Sequence, residues 1–60
     1  MNFVVEVVDR REAVITHTTL SVFSPEWARE CAECLLAAYR RRGGVAARIL
    51  NHRGEELYRL

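Results

Sequence analysis

Two apolar runs separated by a charged segment begin the chain and predict a β-hairpin. Phe3 to Val8 is mostly Val, and Ala13 to Val22 is rich in Val, Ile and Thr, the residue types that are enriched in strands. The segment between them, Asp9 to Glu12, is wholly charged, as expected of a hairpin loop. We therefore expect two antiparallel strands with Arg10 and Arg11 at the tip.

The alternation of side chains along these strands assigns them to two faces. With a two-residue tip, Val8 lies opposite Ala13 and Phe3 lies opposite Thr18. One face then carries Phe3, Val5, Val7, Val14, Leu20 and Val22. The other carries Val4, Glu6, Val8, Ile15, His17 and Thr19. A sheet that a helix covers on one side usually has a polar second face, and the mixed character of this second face predicts a further partner.

A helix from Pro25 to Arg42 has clear start and stop signals. Ser24 is a preferred capping residue, Pro25 is tolerated in the first turn, and Glu26 complements the positive end of the helix dipole. Three arginines, Arg40 to Arg42, suit the negative end, and Gly43-Gly44 can adopt the left-handed conformation that ends a helix.

The apolar side of this helix is wide. At ~100° per residue, one stripe contains Ala28, Cys31, Ala32, Leu35, Ala38 and Tyr39, with Trp27, Cys34 and Leu36 at its margins. This arc covers nearly half the circumference, more than a narrow contact with a sheet requires. We expect Trp27 and Leu36 to reach past the sheet.

The last part of the chain predicts a second hairpin, with strands from Val45 to Leu50 and from Glu55 to Leu60. Asn51 and Gly54 fit the first and last positions of a type I turn followed by a glycine bulge. In this register Ile49 opposes Leu57 on one face, while Arg48 opposes Tyr58 and Leu50 opposes Glu56 on the other. That other face carries Leu50, Tyr58 and Leu60 beside Arg48.

The element order ββαββ predicts the α+β class, with an antiparallel four-stranded sheet and one helix packed on one face. The chain of 60 residues forms a single domain, residues 1–60. A domain of this size buries only ~60% of the surface of its unfolded chain. Such small domains are often stabilised further by a second subunit.

Composition and charge indicate a globular protein without a global pull toward nucleic acid or membrane. Half of the residues are hydrophobic, and nine basic and eight acidic residues give a net charge of +1. Glu6 and Asp9 interrupt the first apolar run too early for a signal peptide, and no apolar stretch is long enough to span a bilayer. We expect a soluble cytoplasmic protein. All nine basic residues are Arg, which indicates a GC-rich bacterial or phage genome.

The candidate chemistry in the chain is sparse. Cys31 and Cys34 are spaced as in redox motifs, but they lie two turns inside the predicted helix, away from the N-terminus that stabilises a thiolate. A zinc site would need His17 and His52 as further ligands, and their spacing does not match known zinc motifs. No nucleophile and base are placed together by local geometry. We therefore expect no enzyme, no metal and no cofactor.

Two binding functions remain. The first is a non-enzymatic protein-binding module, which we expect to be homodimeric, with the contact residues Val4, Val8, Ile15, Leu50, Tyr58, Leu60, Trp27 and Leu36. Its basis is an excess of apolar residues over what one helix covers. The alternative is a small nucleic-acid-binding protein that uses Arg40, Arg41, Arg42 and Arg48, with Tyr58 as a stacking platform.

The order of hairpin, Ser-capped Ala-rich helix, Gly43-Gly44 and Asn51-to-Gly54 hairpin is similar in layout to many tiny phage and mobile-element proteins, including some anti-CRISPR inhibitors. This similarity implies a protein that inhibits a host machine by binding it. No motif in the chain is specific enough to name a family.

Overall fold

The computed structural model describes all 60 residues and has the predicted ββαββ order. Its elements are β1 (Asn2–Val8), β2 (Val14–Ser21), α1 (Pro25–Tyr39), a 3-10 turn (Arg40–Arg42), β3 (Ala46–Leu50) and β4 (Glu56–Arg59). The strands form one antiparallel sheet in the order β2-β1-β3-β4, with α1 packed on one face. This confirms the predicted fold class. The only α-helix is too short to cross a membrane.

The helix begins and ends where the sequence signals predict, with two differences in detail. Ser24 occupies the cap position, but its side chain makes no capping hydrogen bond, so that part of the prediction is wrong. Its carbonyl instead accepts a hydrogen bond from the Ala28 N–H at 3.3 Å. The final turn, Arg40–Arg42, is a 3-10 turn that Gly43 closes in the left-handed conformation, with φ of 96°.

The backbone at Gly44 is packed too closely against its neighbours for a side chain to fit. A Cβ atom placed there would lie 2.8 Å from Cγ1 of Val7 and 3.0 Å from the Tyr39 carbonyl oxygen. The chain therefore passes directly over β1 between the helix and β3. The next residue, Val45, donates its N–H to the Val8 carbonyl at 2.9 Å and so aligns β3 with β1.

The core lies between α1 and the two central strands. It consists of Phe3, Val5, Val7, Ala28, Ala32, Leu36, Ala47 and Ile49. Alanines in the middle of the helix face allow α1 to approach the sheet closely, so the centre of the buried stripe is the row Ala28, Ala32 and Leu36. Leu36 is only 6% exposed, and the prediction that it reaches past the sheet is wrong.

The first hairpin has a longer loop than predicted. The loop is closed by a hydrogen bond from the Asp9 N–H to the Ala13 carbonyl, and Glu12 adopts a positive φ of 64° within it. A bulge follows near Val8, which pairs with Val14. As a result Phe3 lies opposite Leu20 instead of Thr18, and the predicted pairing of Val8 with Ala13 is also wrong.

The second hairpin confirms the predicted turn and corrects part of its register. Gly54 has a φ of 82° and donates its N–H to the Asn51 carbonyl, as a type I turn with a glycine bulge requires. Leu50 opposes Glu56 as predicted, but a second bulge then skips one residue of β4. Consequently Tyr58 opposes Ile49, and Arg48 opposes Arg59.

Candidate functional site

The face of the sheet opposite α1 carries a chain of ion pairs. Arg48 contacts Glu6 at 2.7 Å and Glu56 at 4.0 Å, and Arg59 contacts Glu56 at 3.3 Å and Glu12 at 3.0 Å. Hydrogen bonds to Glu12, and then to Glu56, raise the pKa of Arg59. These charges link β1, β3, β4 and the β1–β2 loop across the middle of the outer face, so this face is less apolar than the pattern suggested.

The predicted contact residues do not form one outer surface. Leu36 is in the core, and Val8 is fully buried. Ile15 and Leu60 pack against the core cluster. Because Tyr58 opposes Ile49, the placement of Tyr58 and Leu60 on the outer face is wrong.

The predicted contact residues that remain accessible lie in separate places, and Tyr58, 38% exposed beneath the Arg29 guanidinium, is one of them. Val4 and Leu50 are half-buried neighbours on the outer face, next to the ion pair of Glu6 and Arg48. Trp27 is 57% exposed and lies on the helix side. Their contact with a partner stays a prediction, and the structure directs attention to the surroundings of Trp27.

A groove runs between α1 and β2, because α1 packs against β1 and β3 and leaves β2 largely uncovered. It has a volume of about 500 Å³, with Thr18 and Leu20 on the strand side. The helix side is lined by Trp27, Glu30, Cys31, Cys34, Leu35 and Ala38. Only one of these helix residues is charged, so the groove is a mainly apolar surface that no element of the chain covers.

The two flanks of α1 differ, and this difference positions the groove. The flank away from the groove is polar and carries Glu26, Arg29 and Glu33, while Glu30 lies between this flank and the groove. Arg29 lies over the Tyr58 ring at 4.4 Å and so covers the β4 side of the helix. The wide apolar arc seen in the sequence therefore has a direction, toward β2.

A second concavity adjoins the groove and shares Trp27 with it. This concavity, of about 450 Å³, is lined by Met1, Ser21, Val22, Phe23 and Trp27. Phe23 is 93% exposed and Met1 is 65% exposed. Neither was predicted as a site residue, although an aromatic residue directly before the Ser24-Pro25 helix start was a usable signal for an exposed side chain.

The edge of β2 is free to pair with another strand. The Met1 amino group and the Val22 N–H each donate to the carbonyl of the other residue, so these two residues form a hydrogen-bonded pair. In an antiparallel ladder such pairs alternate, so the backbone groups of Leu20, Thr18 and Thr16 also point toward β1. The N–H and C=O groups of His17, Thr19 and Ser21 then point away from the sheet.

The other edge of the sheet is protected. β4 has four residues, and two of them, Glu56 and Arg59, are charged and form ion pairs. Charged side chains and short length are the usual devices that prevent pairing at an exposed strand edge. β2 has eight residues with no Asp, Glu, Lys, Arg or Pro among them. The open edge of the molecule is thus β2, and it borders the apolar groove.

The end of the molecule where α1 stops is strongly basic. Arg10 and Arg11 from the β1–β2 loop and Arg42 from the 3-10 turn line a cleft of about 470 Å³ together with Asp9, Gly43 and Val45. Arg40 and Arg41 are exposed beside it. All the ion pairs of the structure involve Arg48 or Arg59, so these five arginines have no carboxylate partner.

Arg48 and Tyr58, the other two residues of the predicted nucleic-acid surface, do not join this basic end. Arg48 is held by Glu6 on the outer face. Tyr58 opposes Ile49 and carries the Arg29 guanidinium. The prediction that Arg48 and Tyr58 form a stacking surface is therefore wrong. The three helix-end arginines instead have Arg10 and Arg11 as neighbours.

The remaining reactive side chains are dispersed. Cys31 is half-buried and Cys34 is exposed, and both line the groove as free thiols. His17 is on the outer side of β2, and His52 is in the β3–β4 turn. No group of three or more His, Cys, Asp or Glu side chains is arranged to hold a metal ion.

Three surfaces therefore carry the functional interpretation. They are the open edge of β2, the apolar groove beside it, and the basic end. No protein-family model, curated protein or solved structure matches the chain.

Proposed function

We propose that this protein is a small protein-binding module without catalytic function, which joins other chains through β2 and the groove beside it. The observation that carries the proposal is that a strand edge without Asp, Glu, Lys or Arg lies beside an uncovered apolar groove of about 500 Å³. A large unpartnered apolar surface on a small domain is typical of an interaction site. Trp27, at the junction of the two concavities, is the residue type most enriched at the energetic centre of interfaces.

The mode of binding follows from the two features together. A partner strand that pairs with β2 accepts hydrogen bonds from the N–H groups of His17, Thr19 and Ser21 and donates hydrogen bonds to their carbonyls. Every second side chain of that strand then faces the helix side, where Leu20 and Trp27 offer apolar contacts. This is strand addition, in which backbone bonds supply affinity and side-chain contacts supply specificity.

The occupant that we propose is a second copy of the chain. β2 contains no Asp, Glu, Lys or Arg, so antiparallel pairing of β2 with itself brings no carboxylates or guanidinium groups of like charge together. If Thr18 lies on the two-fold axis, Thr16 of each copy opposes Leu20 of the other. Val14 and Phe23 are exposed near opposite ends of β2. Antiparallel self-pairing places Val14 of one copy beside Phe23 of the other. Such self-complementarity is the requirement of a two-fold interface.

The size of the chain supports the same conclusion. Only ten of the 60 residues are buried, and domains this small often gain stability by association. A standard interface buries ~800 Å² per partner, about a fifth of the accessible surface of 4295 Å². The β2 edge, Phe23, Trp27 and the helix side of the groove form one continuous surface along one side of the molecule.

The test is the mass in solution, measured by light scattering at a protein concentration of about 100 μM, far above the Kd range of stable dimers. We expect twice the chain mass of 6.9 kDa. Thr19→Pro removes an N–H that points away from β1 and places proline on an edge strand, where it is tolerated. This variant should be a folded monomer by circular dichroism, and the matched control Thr19→Val should remain dimeric.

Two results would count against the proposal. A monomeric native chain at this concentration excludes a second copy as the occupant. A dimer that persists in Thr19→Pro excludes the β2 edge as the contact and returns attention to Val4 and Leu50 on the outer face. Inhibition of a host machine, the role that the layout similarity implies, stays a prediction.

A further inference from the structure

We propose that the basic end, defined as Arg10, Arg11, Arg40, Arg41 and Arg42, binds the phosphate backbone of nucleic acid. This inference is independent of the protein-binding proposal, because the basic end lies outside the groove and shares no side chain with it. It rests on five exposed arginines without carboxylate partners, three of which line one cleft of about 470 Å³.

The fold holds the two arginine segments together. The β1–β2 loop and the chain after α1 both lie at the end of the molecule where β1 finishes. The hydrogen bond from the Val45 N–H to the Val8 carbonyl, at 2.9 Å, ties these two segments next to each other. Arg42 also lies over the Tyr39 ring, 5.5 Å from its centre. The positive charge is thus concentrated by backbone placement, which the net charge of +1 conceals.

Asp9, the carboxylate in the cleft, is engaged with the loop backbone. One of its oxygens, Oδ1, accepts the N–H groups of Arg11 at 2.8 Å and Ala13 at 3.0 Å. These bonds shape the loop that presents Arg10 and Arg11. The Asp9 carboxylate forms no ion pair with the neighbouring arginines, whose guanidinium groups remain available to an external anion.

The chemistry of the basic end fits phosphodiesters better than a lipid surface. Arginine binds phosphate through paired N–H groups in a planar fork, and a row of phosphates can enter a cleft that arginines flank on both sides. Binding to an anionic membrane uses an apolar face that inserts beside the basic residues. The only apolar residue lining this cleft is Val45.

The experiment measures the anisotropy of a labelled DNA duplex of about 20 base pairs over a range of salt, since phosphate contacts give a strong salt dependence. The variant Arg10→Gln/Arg42→Gln is compared with Arg29→Gln/Arg53→Gln, which has the same net charge but loses it elsewhere. Each lost phosphate contact lowers the slope of log affinity against log salt by about 1. We expect the slope to fall by about 2 in the first variant for each basic end that contacts the duplex, and to be unchanged in the second.

A third variant is expected to strengthen binding to the duplex instead of weakening it. Asp9→Asn keeps the Oδ1 acceptor that holds the loop and removes the negative charge from the cleft, so it should bind the duplex several-fold more tightly than the native protein at low salt. The inference is overturned if the native protein leaves the duplex anisotropy unchanged at low salt, or if the two double variants weaken binding equally. It is also overturned if phosphatidylserine vesicles, and not the duplex, bind in an Arg42-dependent way.

Discussion

Replacement of Gly44 by alanine tests the closest backbone approach in the fold. The added Cβ would lie 2.8 Å from Val7 Cγ1 and 3.0 Å from the Tyr39 carbonyl oxygen, whereas carbon atoms in contact are normally about 3.5 to 4.0 Å apart. Val7 is fully buried, so its methyl group has no solvent to move into. Gly44 has no positive φ, and the effect of the substitution is therefore one of packing.

The magnitude combines two opposing effects. Overpacking a well-filled core costs about 1 to 3 kcal/mol, and the reduced freedom of the unfolded chain on going from Gly to Ala returns about 0.4 to 1 kcal/mol. We expect Gly44→Ala to lower the free energy of unfolding by about 1 to 2 kcal/mol. For a chain of 60 residues, whose total stability is about 3 to 9 kcal/mol, this loss is large. It should lower the melting temperature by roughly 4 to 8 °C per kcal/mol.

The assay is urea unfolding at one fixed protein concentration, followed by circular dichroism, in a double-mutant cycle with Val7→Ala. Because Val7→Ala removes the methyl group that the new Cβ meets, Gly44→Ala should cost much less in that background. Gly43→Ala is the control. A Cβ atom added at Gly43 would meet no heavy atom within 4 Å, but the φ of this residue is 96°. Its cost comes from left-handed backbone and should be equal in both backgrounds. Additive effects of Gly44→Ala and Val7→Ala would refute the packing explanation.

Three further predictions address the core, the second turn and the groove. In the monomeric Thr19→Pro background, Leu36→Ala should destabilise the protein by about 2 to 5 kcal/mol because Leu36 is a core side chain, whereas Trp27→Ala, at a 57% exposed position, should cost far less in the same urea titration. Asn51→Ala should cost about 1 kcal/mol, because Asn51 Oδ1 accepts two backbone N–H groups; Arg53→Ala, at the same turn, should cost almost nothing. The fluorescence of Trp27, the only tryptophan, should shift to shorter wavelength as the protein concentration rises, and this shift should be absent in Thr19→Pro.

The helix boundaries and the second turn were predictable because they depend on local chemistry. Pro25 fixes the start, and Gly43 supplies the left-handed residue at the end. Asn51 and Gly54 likewise form the predicted turn through bonds within five residues of chain. Such features need no knowledge of the rest of the fold.

Register and rotation were not predictable in the same way. The pairing of β1 with β2 depends on a bulge and on a positive φ at Glu12, a residue type that rarely adopts it. The exposure of Leu36 was mispredicted because the apolar arc of α1 is wider than its contact with the sheet. The helix is oriented so that Ala28 and Ala32 pack closely against the sheet, and Trp27 remains exposed. The excess of apolar residues that defines the proposed site was therefore visible in the sequence, but the position of those residues on the fold was not.

The two proposed surfaces predict a joint behaviour toward long nucleic acids. In a dimer that pairs β2 with β2 about a two-fold axis perpendicular to the sheet, both basic ends lie on the same side of a continuous sheet. β2 has eight residues, and a strand rises ~3.4 Å per residue, so the two β1–β2 loops are separated by roughly 25 Å or more.

A duplex of about 20 base pairs spans this distance at ~3.4 Å per base pair, whereas a hairpin stem of about 6 base pairs does not. The second contact on the longer duplex is intramolecular, and its effective concentration raises the affinity. We expect the native dimer to bind the long duplex at least about tenfold more tightly than the short stem. Thr19→Pro should bind the short stem like the native chain and lose most of this length dependence, which anisotropy with the two labelled DNAs measures directly. Equal length dependence in Thr19→Pro and in the native chain would show that the basic ends do not act as a pair, because only the β2 contact sets their spacing.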